Sequence, residues 1–201
     1  MRREIFRMPL DRALALLRRA PLVHLASTTA DGAPVLRALD AAVLDDAIAF
    51  HGSPAGEKTG CVGRPAVVSA EELVAHLPSY FSDPERACPA TTLYRSVQVH
   101  GTLRAVEDPA RKAAALEALM RRWQPEGGYR PIDPTTPMYR QAVAGVLVLE
   151  VRFEAVDGKE KLLQNRRPEE LRAIVARLRE RQAPGDAAAV AAIVEANPAA
   201  F

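Results

Sequence analysis

The spacing of apolar and polar residues predicts a short helix followed by closely connected β-strands. Apolar residues recur at helical spacing from Leu10 to Leu17, and Pro21 ends this segment. The strands that follow are predicted over residues 22–28, 34–44 and 47–51. The Asp31-Gly32 pair is typical of a hairpin turn between the first two strands. Connections this short exclude the crossover helices of a parallel sheet, so we expect an antiparallel meander.

The middle and the end of the chain predict further strands, which cover residues 65–69, 93–106 and 145–153. Residues 70–92 are expected to be mostly loop, because Pro78, Pro84 and Pro89 interrupt any regular pattern. Residues 145–153 are apolar on both faces apart from Glu150 and Arg152, which is typical of a central strand.

Helices and connections complete the predicted order. Helices are expected to begin at Asp108-Pro109, at Pro168 and near Asp186. Residues 125–137 are expected to form a loop, and Asp157-Gly158 a turn.

These elements predict an α+β protein that contains an antiparallel β-barrel with flanking helices and a C-terminal helical extension. Gly101 lies inside a predicted strand and is typical of a bulge or bend, as in a strand that curves to close a barrel. No internal repeat or low-complexity linker divides the chain. We therefore expect a single domain over residues 1–201, with the barrel over about 20–165 and the helices over about 167–197.

Composition and charge narrow the class of protein. The chain has 201 residues, of which 48% are hydrophobic, enough for a sizeable core. Its 27 basic and 25 acidic residues give a net charge of +2, which argues against general binding of nucleic acid. The first nine residues lack the apolar core of a signal peptide, and no apolar run approaches the ~20 residues of a membrane span. Cys61 and Cys88 form no CxxC pair, so we expect a cytoplasmic protein without a membrane partner.

The stretch from Ala49 to Gly60 is the first candidate for chemistry, because a short strand runs there into a glycine-spaced turn. Ser53 is predicted to cap a helix that begins at Pro54. Around this turn lie two glycines, a lysine and a hydroxyl side chain: Gly52, Gly56, Lys58 and Thr59. The glycines let a ligand approach the backbone closely, and the lysine adds one positive charge. This combination suits a single phosphate group. The alternative interpretation is a strand, a turn and a capped helix with a surface lysine.

Two arginines interrupt the apolar face of a predicted strand. Arg37 shares its face with Val35 and Leu39, and Arg95 shares its face with Val97. A guanidinium on an apolar face needs an anion, because an unpaired buried charge costs several kcal/mol. Together with Lys58, these arginines could surround one phosphate.

The alternative is that each arginine reaches solvent or pairs with an acid such as Asp40, Asp45 or Asp46. His51, at the end of a strand, is placed to contact a ring or to make a structural hydrogen bond. The other histidines lack HxxxH or HExxH spacing, so no metal site is predicted. No hydrolase motif assigns a catalytic residue, so we expect a cofactor to carry any chemistry.

With these residues in view, the chain resembles the FMN-binding split-barrel superfamily related to pyridoxamine 5′-phosphate oxidase, and within it the nitroimidazole-resistance proteins. The resemblance covers most of residues 10–165 and rests on three runs: Pro34-Val-Leu-Arg37, Phe50-His-Gly-Ser with Gly-Glu-Lys58, and Leu93-Tyr-Arg-Ser-Val-Gln-Val-His-Gly-Thr102. Residues 157–165 also resemble a stretch of the FMN-binding negative transcriptional regulators.

The resemblance implies a homodimer with FMN in each of two clefts at its interface. By motif position, it implies that the flavin contacts Arg37, Ala38, Leu39, His51, Ser53, Lys58, Thr59, Arg95 and Ser96. Deazaflavin, FAD and haem are alternative cofactors for the same pocket. The substrate-binding tail of the oxidase has no match here, and residues 71–90 are peculiar to this chain.

Two functions follow as hypotheses. The first is a flavin-dependent oxidoreductase that acts on a small molecule, with nitroreductase-like activity as one form. The second is a non-catalytic flavin-binding regulator or sensor, which the regulator-like segment and the arginine-rich helix after it would favour.

Overall fold

The computed structural model describes residues 4–201, over which the chain forms eight β-strands and five α-helices. The strands are β1 Val23–Thr28, β2 Pro34–Leu39, β3 Ala42–Val43, β4 Ala47–Gly52, β5 Pro65–Leu77, β6 Thr91–Ala105, β7 Leu147–Arg152 and β8 Ala155–Lys161. The α-helices are α1 Leu10–Arg19, α2 Pro109–Trp123, α3 Pro137–Gly145, α4 Pro168–Arg181 and α5 Asp186–Ala196. Residues 1–3, part of the segment expected to lack a signal peptide, lie outside the described residues.

All eight strands belong to one antiparallel sheet, in the order β2-β1-β5-β6-β7-β4-β3, with β8 paired to β6. The β1–β2 hairpin aligns Thr28 with Pro34 and Val23 with Leu39, and Gly32 in its turn has a φ of 88°. Glycine suits this positive φ because it has no Cβ. The predicted Asp-Gly hairpin is therefore confirmed. The predicted meander is wrong beyond it, because β2 lies at one edge of the sheet and β3, paired with β4, lies at the other.

Contacts divide the chain into two compact units. One contains the residues up to Leu16, Glu71–Val97 and Asp157–Phe201, and the other contains Leu17–Ala70 and Gln98–Val156. We call them the terminal unit and the central unit. The expectation of a single domain stays a prediction.

The central unit is built on the pairing of β4 with β7. The two strands align from Ala47 opposite Arg152 to Gly52 opposite Leu147, and residues 148–151 of β7 are buried. The predicted central strand is therefore confirmed. Its one buried charge, Glu150, accepts hydrogen bonds from Arg111 of α2 at 2.9 Å and from Arg152 at 3.0 Å. Two guanidinium donors offset the cost of burying this carboxylate.

The terminal unit has its own apolar core, which α4 and α5 cover. Its buried residues include Leu93 of β6, Leu162 after β8, Leu178 of α4 and Ile193 of α5. The helix connection is fixed by Asp186, whose carboxylate accepts two hydrogen bonds from the Arg181 guanidinium and one from the Ala183 backbone N–H.

The prediction of loop over residues 70–92 is wrong at both ends. β5 continues to Leu77, and β6 already begins at Thr91. Residues 71–77 contain no proline, and buried and exposed side chains do not alternate regularly along them. The segment is extended nevertheless, because pairing with β6 satisfies its backbone hydrogen-bonding groups. Only the part after Pro78 is irregular, apart from a short 3-10 helix over Ser79–Phe81.

Two further predictions need correction. Asp157-Gly158 lies inside β8 and forms no turn. A Cβ on Gly158 would lie 2.9 Å from both Ala13 Cβ and Met8 O. This glycine is required for close packing. The loop predicted over residues 125–137 ends in a helix that the sequence analysis missed, α3, whose N-terminal proline was assigned to the loop.

The strand predicted over residues 34–44 is interrupted, because the chain leaves the sheet between β2 and β3. Arg122 donates a hydrogen bond to Ala41 O at 3.0 Å and another to Ala20 O, and Trp123 Nε1 donates to Asp40 at 2.8 Å. The end of α2 therefore holds the segment that separates the two strands.

Replacing Gly101 by alanine should destabilise the protein by about 1–3 kcal/mol. A Cβ there would lie 2.4 Å from Arg152 O and 2.9 Å from Val151 Cγ1, and backbone cannot move aside cheaply. Urea unfolding followed by circular dichroism measures the change. Gly145→Ala is the control, because a Cβ there would meet nothing within 4 Å beyond its chain neighbours and the backbone of its own helix. Equal stability of the two variants would show that the close approach at Gly101 is relieved without cost.

Replacing Asp186 by asparagine should cost about 1–3 kcal/mol at pH 7. The Arg181 guanidinium lowers the pKa of Asp186, so the unfolded state takes up protons first as the pH falls. This stabilisation is therefore complete above the unfolded-state pKa and is lost as the pH falls through the folded-state value. Urea titrations should show a constant gap between variant and native protein from pH 7 to about pH 5, and a smaller gap below about pH 4. A gap that persists at about pH 3 would contradict this role of the ion pair.

Candidate functional site

The turn after β4 is shorter and less helical than the sequence predicts. Backbone bonds close it at Ser53, where Gly56 N–H donates to Ser53 O at 3.2 Å, and a 3-10 helix then covers Glu57–Cys61. Ser53 Oγ accepts from Ala55 N–H at 3.2 Å, so it stabilises the turn and does not cap this helix. The prediction of a helix that begins at Pro54 is wrong, because a hydrogen-bonded turn takes up residues 53–56 before the helix starts.

Lys58 folds back across this turn. Its Nζ lies 2.7 Å from the position of a Cβ on Gly52 and 3.2 Å from that of a Cβ on Gly56. Any larger residue at Gly52 would therefore displace the ammonium group. Over residues 4–201, Lys58 Nζ forms no hydrogen bond or ion pair. Gly52, Gly56, Lys58 and Thr59 thus form a half-buried cationic turn, which we call the candidate phosphate site.

Arg37 reaches the same 3-10 helix from β2. Its guanidinium forms an ion pair with Glu57 and also donates to Leu36 O at 2.6 Å. The Arg37 side chain is 46% exposed and that of Glu57 is 55% exposed. Two of the three acids that the sequence offered as partners are engaged elsewhere: Asp46 accepts from Arg111 and Asp40 from Trp123.

The remaining predicted residues of the central unit lie on β2, on β4 and in the turn and 3-10 helix after β4. Thr59 is half-buried and its hydroxyl donates to Gly56 O at 2.8 Å. His51 is exposed on β4 next to Gly52, Ala38 is exposed on β2, and Leu39 is half-buried. The central unit thus contributes polar, apolar and cationic groups from β2, β4 and the turn.

Arg95 and Ser96 lie in the part of β6 that belongs to the terminal unit. The Arg95 side chain is 14% exposed, with Nη1 3.2 Å from Glu72 and Nε 3.5 Å from Glu160. Arg12 Nη2 lies 3.0 Å from the same Glu160 oxygen. Arg95 therefore finds its anions within the chain, and Ser96 beside it is half-buried.

A cavity of about 590 Å³ lies in the central unit between β1, the beginning of β5 and β6. Small apolar side chains form most of its wall, with hydroxyl groups from Ser27 and Thr28. Glu154 and His100 add polar groups, and Glu154 accepts from Thr102 Oγ1 at 3.2 Å. A small molecule of mixed polarity would fit a cavity of this size.

Cys61 is buried in the 3-10 helix and Cys88 is exposed, both as free thiols. Within the described part of the chain, no three His, Cys, Asp or Glu side chains are grouped to hold a metal ion. None of the helices there is long and apolar enough to cross a membrane.

The antiparallel eight-stranded sheet, with helices packed on it and a glycine-lined lysine turn after β4, defines an α+β protein of the split-barrel class. The chain belongs to the pyridoxamine 5′-phosphate oxidase family, whose sequence model matches residues 9–160. The predicted fold class and the predicted family resemblance are both confirmed.

Solved structures with this fold come from several bacteria. The flavocytochrome Anf3 from Azotobacter vinelandii is 19% identical, with a TM-score of 0.64, over 78% of this chain and 69% of its own. The FAD and heme binding protein from Mycobacterium smegmatis is 24% identical, with a TM-score of 0.61, over 76% and 71% of the two chains. A structure described as that of a 5-nitroimidazole antibiotic resistance protein from Bacteroides thetaiotaomicron is 19% identical, with a TM-score of 0.57, over 76% and 84%. No curated protein sequence matches the chain significantly.

Three acids were missed by the sequence analysis: Glu57, Glu72 and Glu160. Glu57 could have been noticed, since it directly precedes Lys58 in the sequence. Glu72 was assigned to a loop, and Glu160 was assigned to no strand or helix. No local signal links either of them to Arg95, which is 23 residues from Glu72.

Arg95→Gln should destabilise the protein by about 2 kcal/mol, because it leaves Glu160, whose side chain is 8% exposed, with Arg12 as its remaining cation. Arg37→Gln should cost less than about 1 kcal/mol, because both partners of that ion pair are half-exposed and screened by solvent. Urea unfolding at pH 7 compares the two variants directly. Losses of equal size would show that burial does not distinguish the two arginines.

Proposed function

We propose that this protein binds a phosphorylated flavin and uses it as an oxidoreductase on a small molecule. FMN is the cofactor that the sequence favours first, with the phosphate on Lys58 and Thr59. Arg37, Ala38, Leu39, His51 and Ser53 would contact the rest of the flavin, with Arg95 and Ser96 as the proposed residues from β6.

The observation that carries this proposal is the unengaged ammonium group of Lys58. A cation held against two glycines, without an acid partner within residues 4–201, has its charge available for an anion. Gly52 and Gly56 also leave the backbone open to close approach. A single phosphate group fits these donors in charge and in chemistry.

Family and fold add support of a broader kind. Some proteins with this fold are described as binding FAD and heme or as a flavocytochrome. FAD, haem and deazaflavin therefore remain alternatives to FMN. A flavin, when bound, supplies hydride and electron transfer, and the chain's own residues bind and orient it. The substrate would enter as a small molecule, for which the cavity beside β1 offers space.

A homodimer is part of the proposal, with the flavin at its interface. The outward face of the β1–β2 hairpin supports it, since Ala26 pairs with Leu36 and both are exposed. Leu36 is 61% exposed, which is high for a leucine on a sheet. Burying this face against a second copy would remove apolar surface from water. We propose the cytoplasm as the compartment, where the exposed Cys88 thiol would stay reduced.

The second candidate is a flavin-binding regulator or sensor without turnover. Arg172, Arg177 and Arg179 are exposed on α4 and form no ion pair with another described residue, which leaves them available to an anionic partner. Glu169 and Glu180 alternate with them, as on an ordinary solvated helix face. Consumption of a reduced nicotinamide by the flavin-loaded protein would separate an enzyme from a sensor.

Purified protein should bind added FMN or FAD, seen as quenching of flavin fluorescence, and Lys58→Gln should weaken this binding about tenfold by removing a charge-assisted contact. Riboflavin, which lacks the phosphate, should bind both proteins alike. Arg179→Gln is the control, because it removes an exposed cation from α4 instead. If the native protein binds neither flavin, the proposed function is wrong. If Lys58→Gln and Arg179→Gln weaken binding equally, the phosphate lies elsewhere.

A further inference from the structure

Trp123, the one tryptophan of the chain, lies at the end of α2 and is 55% exposed. Two contacts orient its ring. Nε1 donates a hydrogen bond to Asp40 at 2.8 Å, and the guanidinium carbon of Arg122 lies 4.6 Å from the ring centroid. An aromatic ring that is held in place but still open to solvent is suited to stacking with another flat ring.

A small cationic pocket adjoins this ring, and Arg122 takes part in both. The pocket has a volume of about 210 Å³ and belongs entirely to the central unit. One of its arginines comes from the last turn of α1 and two from the last turn of α2. Apolar side chains from β3 and α2 complete its wall, so that it is lined by Arg18, Ala42, Val43, Ala118, Arg121 and Arg122. Three guanidinium groups around an apolar floor favour an anionic ligand.

Acids offset two of the three arginines. Arg121 Nε lies 3.2 Å from Glu117, and Arg122 Nη1 lies 4.0 Å from Asp40. Arg18 is exposed and forms no hydrogen bond or ion pair with any other residue of the described range 4–201. The pocket therefore keeps a net positive charge, and the Arg18 guanidinium is the one most available to a ligand.

The size of the pocket restricts how much of a ligand it can hold. Pockets that enclose a whole small-molecule ligand usually measure about 300–1,000 Å³. A pocket of about 210 Å³ is large enough for a compact anion such as a phosphate group, and the rest of the ligand must lie outside it. Because the Arg122 guanidinium lines the pocket and also lies against the Trp123 ring, a flat ring attached to that phosphate can reach Trp123.

We propose that this pocket and Trp123 form a second ligand site, which binds a nucleotide through its phosphate and its base. The arginines bind the phosphate, with Arg18 as the main contact, and the base stacks on the Trp123 ring. The inference goes beyond the proposed function, because the site uses neither Lys58 nor a flavin.

The fluorescence of the full-length protein reports directly on this site, because Trp123 is its one tryptophan. AMP should quench this fluorescence as its base stacks on the ring. Adenosine, which lacks the phosphate, should bind about tenfold more weakly. Inorganic phosphate should compete with AMP without quenching. The titrations are made without added flavin and at low salt, because salt screens exposed charges.

Arg18→Gln should weaken AMP binding about five- to tenfold and leave adenosine binding unchanged. Arg179→Gln is the matched control, because Arg179 is likewise exposed in the last turn of a helix and carries the same charge. Trp123→Leu should weaken AMP binding about fivefold or more, measured by calorimetry, because it removes the stacking surface.

Three results would overturn the inference. If AMP and adenosine bind equally, the arginines do not bind the phosphate. If Arg18→Gln and Arg179→Gln weaken AMP binding equally, the effect is one of general charge. If neither AMP nor adenosine binds, the arginines only complement the ends of α1 and α2, and Trp123 only holds the segment before β3. None of these results bears on flavin binding, which the Lys58→Gln experiment tests separately.

Discussion

Neutralisation of charge is the constraint on which this structure depends most. Arginines reach into both units, and a guanidinium that leaves water must find an anion or a set of carbonyl oxygens. Arg95 pairs with Glu72 and Glu160, while Arg122 donates to the backbone carbonyls of Ala41 and Ala20. Against this background Lys58 is conspicuous, since it is half-buried and forms no such pair with the rest of residues 4–201. A half-buried cation without an acid partner is what the proposed phosphate site requires.

Most of the fold could be predicted from local pattern, because short connections and alternating side chains determine an antiparallel sheet. The failures share a physical cause. The extension of β5 to Leu77 depends on pairing with β6, a partner about twenty residues away that alternation does not reveal. Gly158 was assigned to a turn because Asp-Gly usually forms one. In the structure Met8 and Ala13 lie close to its backbone, and no feature of the neighbouring sequence predicts these contacts.

The candidate site was predictable in part for the same reason. Gly52, Gly56 and Lys58 lie within seven residues, so their meeting follows from the local turn, although its exact form was mispredicted. The partners of the arginines are decided by packing. Arg37 lies twenty residues from Glu57, and the sequence offered Asp40, Asp45 and Asp46 with equal reason. Which acid wins depends on where β2 ends and on which acids other donors have already engaged.

The division between engaged and available charge also fits what a binding site requires. Ion pairs that hold the fold, such as those of Glu150 and Glu160, are buried on strands, where loss of one partner would leave a desolvated charge. The Arg37–Glu57 pair joins an exposed strand residue to a short helix, so it can be exchanged for a ligand contact at little cost in stability. The exposed pair can therefore be lost at little cost in stability, whereas loss of one partner of a buried pair would leave a desolvated charge.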